Sequence, residues 1–276
     1  SKDLLSFVTV APGAATSNMM DQNIGTLRNI GVEATIGAKP VMTDDFTWNT
    51  SLNVAWNSNE ITKLNNTADP NSYIATGGIS GGTGNNVQAH KVGYPAYTFH
   101  LYEQVYDQNG QPIEGCYVDQ NGDGTIDDND RVFRHSRDPK VTMSWNNTFS
   151  WKNWDFGFQL RASIGNYVYN DVASTHSTLS DTYNTSGIHN LVDTDFYFKG
   201  GQTTNTYYSD YWLQNAGFVR CDNITLGYTF NNLFSDKLRL RLYGAVQNPF
   251  VITKYKGLDP EVFGGIDNNV YPRPVT

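Results

Sequence analysis

Cysteine is nearly absent: Cys116 and Cys221 are the two in 276 residues, and no CxxC joins them. This excludes a zinc knuckle or a thioredoxin-type motif and leaves two free thiols, or at most one bridge. No run of about 18 apolar residues exists, so no transmembrane helix is expected. The start, SKDLLSFVTV, lacks the basic, apolar and small-residue segments of a secretion signal, so any such signal is expected upstream of Ser1. Basic residues are also few. Nineteen Lys and Arg face 27 Asp and Glu, for a net charge of -8, and they form no basic stripe, which argues against a nucleic-acid partner. GxSxG, HExxH and the P-loop are missing, and His90, His100, His135, His176 and His189 have no metal-ligand spacing. The chain is therefore read as a non-enzyme with no catalytic residue.

Aromatic residues, by contrast, are plentiful, with Tyr 17, Phe 14 and Trp 6 making 13% of the chain. A mean hydropathy of -0.49 suggests a soluble protein. A membrane barrel hides behind such an average, because half of each strand faces a wet lumen and its long loops are polar. The stretch FTWNTSLNVAW alternates throughout, with Phe46, Trp48, Thr50, Leu52, Val54 and Trp56 on one face and Thr47, Asn49, Ser51, Asn53 and Ala55 on the other. Period two predicts a strand with one apolar face.

The same alternation predicts three hairpins with short turns: residues 32–38 with 46–56, 141–151 with 154–164, and 224–230 with 238–242. Between them lie links of roughly 59–138, 166–215 and 250–271, rich in Gly, Asn, Ser, Thr and Asp and far longer than the usual median of about 4 to 6 residues. Short turns at one end and long loops at the other is the organisation of an outer-membrane barrel. Charges agree: Glu33, Arg161, Arg239 and Arg241 fall on the polar parity, whereas a mid-membrane Arg facing lipid would cost about 2 to 4 kcal/mol. Arg220 and Asp222 break the rule by sharing parity with Ile224 and Leu226. The preferred reading places them at the membrane interface, with a register-shifting bulge as the alternative. Trp48, Trp56, Trp145, Trp151 and Trp154 are read as interfacial girdles.

Within the first long link, VDQNGDGTIDDNDR places Asp119, Asn121, Asp123, Thr125, Asp127 and Asp130 at the spacing of a calcium loop, with Gly124 at the sharp turn. A structural Ca2+ clip is expected there. Asp130 instead of Glu shortens the last ligand, and no helix pattern flanks the loop, so this is not a full EF-hand. The nearby DQNGQP reads as a plain Asn109-Gly110 hairpin turn.

Several segments together resemble the SusC/RagA-type TonB-dependent transporters of the Bacteroidota outer membrane. They include RNIGVEATIGAKPVMTDDFTWNTSLNVAWNSNEITKL, EQVYDQNGQPIEGCYVDQNGDGTIDDNDR, DPKVTMSWNNTFSWKNWDFGFQLRASIGNYVYN and SDYWLQNAGFVRCDNITLGYTF, and continue to DNNVYPRP. The resemblance implies an all-β fold: the C-terminal strands, about seven or eight across residues 1–276, of an antiparallel transmembrane barrel of about 22 strands with short periplasmic turns and long extracellular loops. It implies a plug domain and TonB box that are not found in this sequence, and a last strand cut short at Thr276. The implied function is energy-coupled import of an oligosaccharide or peptide across the bacterial outer membrane. The implied partners are a SusD-like surface lipoprotein, TonB acting through the plug, and outer-membrane lipid. The long loops are expected to contact lid or ligand, and Tyr94, Tyr97, Tyr102 and Tyr183 are the candidate sugar-stacking aromatics, with loop packing as their blander role. Two readings compete: a soluble, secreted, calcium-clipped β-sandwich that binds carbohydrate, and a self-contained passive barrel of about eight strands.

Overall fold

The computed structural model describes residues 4–9, 19–64, 72–179, 203–233, 238–268 and 274–276. In chain order the strands are β1 (Leu4–Thr9), β2 (Met19–Met42), β3 (Phe46–Leu64), β4 (Ile74–Gly78), β5 (Asn86–His90), β6 (Thr98–Tyr102), β7 (Gln104–Tyr106) and β8 (Pro112–Tyr117). There follow β9 (Arg131–Ser136), β10 (Val141–Trp151), β11 (Trp154–Ile164), β12 (Tyr167–Tyr169), the short helix α1 (Asp171–Thr175), β13 (Leu213–Asn215), β14 (Phe218–Leu233) and β15 (Leu238–Thr253). Seven of them form one antiparallel sheet in the order β1-β2-β3-β10-β11-β14-β15. Every neighbour in that order is also the next long strand in sequence, so the sheet is an up-and-down wall, and the three predicted hairpins are its repeating unit.

The wall is turned inside out relative to a soluble sheet. Val32 and Ile36 on β2 are 66% and 67% exposed, Leu242 on β15 is 56% exposed, and Leu52, Trp145 and Leu226 point the same way. A β-sandwich would bury these side chains against a second sheet, and that reading falls with them. Strands β10 and β11 have 11 residues each. At about 3.3 Å per residue and a tilt of about 45° they reach about 25 Å, the height of an outer-membrane apolar band.

The opposite, polar face is where charges sit. Arg241 on β15 reaches across β14 to Asp155 on β11, Nε to Oδ1 at 2.9 Å and Nη2 to Oδ2 at 2.5 Å. Gly227 lies beneath the pair, and a methyl group there would come within 2.6 Å of Asp155.

Two readings of the wall change. Arg220 and Asp222 do not owe their parity to the interface: the register shifts between Gln159 and Leu160 opposite Asn223 and Cys221, leaving Asp222 as an extra residue. This bulge puts Arg220 opposite Arg161 on the lumen side, and Asn248 across from it takes a positive φ of 50°. Nor do all five tryptophans sit at the band's edges. Trp151 and Trp154 lie at strand ends, but Trp56 lies within β3, opposite the first residue of β10, and Trp145 stands mid-strand between Leu52 and Leu160. Its indole donates to Thr50 Oγ1 at 2.8 Å, and that of Trp48 donates to Asn147 Oδ1 at 3.0 Å. These wall residues satisfy the indole donors where lipid cannot.

The long links are not irregular loops. They fold together as a cap at the wall's long-loop end. Strands β4-β5-β6-β9 make a four-stranded sheet, β7 and β8 a hairpin, and β12 and β13 a two-stranded ribbon. The β7–β8 turn runs through Asn109-Gly110 as predicted, with Gly110 at φ 77°. One apolar core gathers residues from all three links: Val87, Phe99, Leu101, Tyr169, Ala173, Trp212 and Ile266. Gly- and Asn-rich composition concealed these short strands, because each has only three to six residues.

Candidate functional site

Beyond β15 the chain turns back over the lumen face as the segment 254–268. Two ion-pair groups hold it there. Arg220, 3% exposed, donates from Nη2 to Asp259 Oδ1 at 2.6 Å, and Asp259 is itself 4% exposed. Arg161 on β11 forms a bidentate pair with Glu261, at 2.8 and 2.9 Å, and reaches Asp222 on the bulge at 3.2 and 3.3 Å. The bulge therefore has a use: it turns Arg220 and Asp222 to the same side as Arg161. Further along, the Asp267 amide donates to Tyr169 O and its carbonyl accepts from Val172 N, both at 2.9 Å, while Tyr255 donates to its carboxylate at 2.5 Å. Burial pushes the Asp267 carboxyl above the usual carboxylate range.

Between this segment and the wall lies a cavity of about 590 Å³, within the usual range for ligand pockets. Asn53, Thr142, Ser144 and Arg161 line it from the wall, Arg137 and Asp138 from the link before β10, and Glu261 and Phe263 from the returning segment. Phe263 is fully exposed. The Arg137 guanidinium lies over the Tyr97 ring, its carbon 3.4 Å from the centroid, and His90 meets the same ring edge-on at 4.5 Å. Tyr97 adopts φ 57°, an uncommon conformation for a bulky residue that marks a position fixed by its surroundings.

Burial, reinforced by the nearby Arg137, lowers the His90 pKa to about 4. Burial and Arg131 lower that of His100 to about 4 as well. Both imidazoles are neutral at neutral pH.

The candidate aromatics do not gather at one site. Tyr94 packs on Phe133 at 5.1 Å beneath Lys91, and Tyr102 stacks on Tyr117 at 4.8 Å beside Arg131. Tyr97 alone reaches the cavity, through Arg137. Tyr183 lies outside the described residues. Sequence reasoning missed Arg137, Phe263 and the Arg220–Asp259 pair, although the parity break at Arg220 was the visible sign of the last.

The loop 119–130 closes on itself. Asp119 accepts from Gly122 N and Gly124 N, Asn121 from Asp123 N, Asp123 from Thr125 N, and Asp127 from Asn129 N. Asp130 accepts from Asp127 N and Gln120 N, which hold its carboxyl below the usual range. Each acid is thus committed to a loop amide, and among the described residues no group of three or more His, Cys, Asp or Glu converges as metal ligands. Cys116 and Cys221 are free, the first exposed and the second buried.

No family model matches the chain. Among curated proteins it is similar to TonB-dependent receptor SusC of Bacteroides thetaiotaomicron, 47% identical over 99% of this chain and 28% of the relative. It is also similar to TonB-dependent receptor P3 of Formosa agariphila, 30% identical over 98% of the chain and 28% of the relative. Among solved structures, the RagAB peptide transporter matches with a TM-score of 0.74 at 22% identity, covering 98% of this chain and 31% of that one. The chain spans less than a third of the length of each of these proteins.

Proposed function

Since this chain belongs to the SusC/RagA-type TonB-dependent receptors, whose place is the bacterial outer membrane, we propose that it is wall and cap of an energy-coupled nutrient importer. The observation that carries this reading is the 47% identity to SusC across wall and cap together. The inverted sheet supports it: a face with Val32, Ile36 and Leu242 exposed suits lipid, and its polar reverse suits a wet lumen. The cargo is an oligosaccharide or peptide and is not chemically altered by the protein. A SusD-like surface lipoprotein covers the cap, and TonB acts through a plug region. Residues 1–276 form the C-terminal part of the barrel, and strands from the rest of that barrel satisfy the two edges of the sheet, since hydrocarbon does not tolerate open edges. Calcium binding by residues 119–130 also belongs to this proposal, as a clip on the cap with no part in transport.

Purification of the native complex in detergent, with intact mass and partner identification, tests the reading. A chain far heavier than 30.8 kDa that copurifies with a lipoprotein supports it. A monomer of 30.8 kDa, soluble without detergent, overturns it. Uptake assays in cells lacking the gene, or lacking TonB, then separate active import from passive permeation.

A further inference from the structure

The outward face of the wall holds a groove at its short-turn end. Phe149 and Trp151 of β10, Trp154 and Phe156 of β11 and Leu226 of β14 line it, around a volume of about 270 Å³. Phe149 lies opposite Phe156, Trp151 opposite Trp154, and Phe156 opposite Leu226, so all five share the lipid-facing parity of Trp145. In sheet order β3 flanks these strands on one side and β15 on the other, and neither edge of the sheet borders the groove. It is smaller than the about 300 to 1,000 Å³ of a drug-sized pocket, and every lining side chain is aliphatic or aromatic, so it suits a slender hydrocarbon chain.

Hydrocarbon alone does not retain a ligand there. Lipid tails are as apolar as the groove, so a seated chain gains only packing, and its retention depends on what holds the headgroup. The tryptophans differ in this respect. Trp145 and Trp48 donate within the wall, to Thr50 Oγ1 and Asn147 Oδ1. The indoles of Trp151 and Trp154, 55% and 44% exposed, have no acceptor among the described residues. Between them in the turn stands Lys152, at φ 52°, with Nζ 3.6 Å from Asp45 Oδ2. That separation is beyond hydrogen-bond reach and both side chains are largely exposed, so the pair holds its members weakly. The backbone keeps the two residues together, since Lys152 N donates to Asp45 O at 2.7 Å. A cation and an anion thus stand side by side at the end of the groove, next to two indole donors. The end of β2 and its turn add one charge of each sign, Lys39 and Asp44, and leave the balance even.

A zwitterionic headgroup matches this array. Its phosphate accepts from the Lys152 ammonium and the indole N–H groups, and a primary ammonium donates to Asp45, for which a quaternary ammonium has no N–H. We propose that Trp151, Lys152, Trp154 and Asp45 form a phospholipid site on the periplasmic side of the wall, selective for phosphatidylethanolamine, with an acyl chain lying along Phe149, Phe156 and Leu226. The proposal rests on the outer-membrane placement of the sheet and is independent of the cargo.

The test is native mass spectrometry of the purified full-length transporter, delipidated in detergent and then titrated with phosphatidylethanolamine, phosphatidylcholine or phosphatidylglycerol of matched acyl chains. Phosphatidylethanolamine is expected to bind about tenfold more tightly than either of the others. Replacing both tryptophans, Trp151→Ala with Trp154→Ala, weakens it about tenfold. Lys152→Asn, which removes the charge and keeps a residue tolerant of positive φ, weakens it about threefold to tenfold. Asp45→Asn abolishes the preference over phosphatidylglycerol. Lys152 and Asp45 are exposed, so their variants keep the test decisive if the tryptophan pair misfolds. The proposal is overturned if the three lipids bind alike, if phosphatidylcholine or phosphatidylglycerol binds more tightly, or if Lys152→Asn and Asp45→Asn leave the preference unchanged. A transporter that binds no phospholipid yet supports TonB-dependent uptake overturns the site and leaves the importer reading standing. Selective binding by a chain that supports no such uptake does the reverse.

Discussion

The wall and the cap of this chain solve opposite problems with the same backbone geometry. In the wall, strands up to 24 residues long carry apolar side chains outward and charges inward, and among the described residues no second sheet covers the outer face. In the cap, strands of three to six residues carry apolar side chains inward onto Trp212, Phe99 and Tyr169. The rule that buries apolar groups is the same in both regions, but the solvent differs: lipid outside the wall, water around the cap. Exposure of a Leu or Val therefore means fitness in one region and carries little information in the other. The ion pairs of Arg220 and Arg161 join the two regions.

The largest effect is expected where the regions join. Arg220→Ala takes the guanidinium away from the buried Asp259 carboxylate, and breaking such a pair costs about 3 to 5 kcal/mol. Hydrogen exchange should then rise sharply in residues 254–268 and around α1, while β10 and β11 stay protected. Equal loosening of the wall would show that the pair serves the sheet and not the cap.

Next comes a charge scan of exposed apolar residues. Val246 on β15 is 41% exposed and aligned with Ile224 at mid-wall, and Leu258 in the cap is 64% exposed. Val246→Arg should cost about 2 to 4 kcal/mol in a bilayer, and Leu258→Arg should stay within about 0.5 kcal/mol. With water on both sides, exposure alone predicts little cost at either residue, so the size of the Val246 penalty in unfolding from liposomes decides which solvent the wall faces.

Acidification should also separate the regions, with a smaller effect. His90 and His100 have folded pKa values of about 4 against an ordinary 6.5. Below about pH 6.5 the unfolded cap takes up protons that the folded cap refuses. The stability present above that pH is lost progressively, and the loss is complete near pH 4. Exchange in β5 and β6 should therefore quicken between pH 7 and pH 5, with little change in β10. Burial raises the carboxyl pKa values of Asp210 and Asp267, which act in the opposite sense, and a His90→Gln/His100→Gln variant isolates the histidine part.

Legibility in sequence follows the same division. The wall could be read because alternation over eleven or more residues has no rival explanation, and because a misplaced Arg in lipid is costly enough to keep parity clean. Its one apparent lapse, at Arg220 and Asp222, was a bulge that turned both side chains toward the cavity. The cap could not be read, because three-residue strands such as β7, β12 and β13 give no period and their partners lie as far apart in sequence as Tyr169 and Leu213. The cavity was invisible for the same reason: Arg137 and Phe263 are separated by more than a hundred residues and meet only through the returning segment. Oxygen spacing in 119–130 was legible as a pattern, but the pattern serves amide capture as well as it serves a cation.

That ambiguity sets the smallest of the expected effects. If the loop takes Ca2+, the metal must compete with amides already bound to Asp119, Asp123 and Asp130, so binding is weak, with a dissociation constant of about 0.1 to 1 mM, as in extracellular modules. At about 1 mM Ca2+, mass action then adds about 0.4 to 1.4 kcal/mol to the stability of the cap and nothing to the wall. Calcium titration followed by thermal unfolding of the full-length protein reads this directly, with Asp123→Asn as the control expected to abolish the gain. A cap whose midpoint is indifferent to Ca2+ in wild type and variant alike would leave the loop as a turn closed by its own amides, the arrangement its hydrogen bonds already describe.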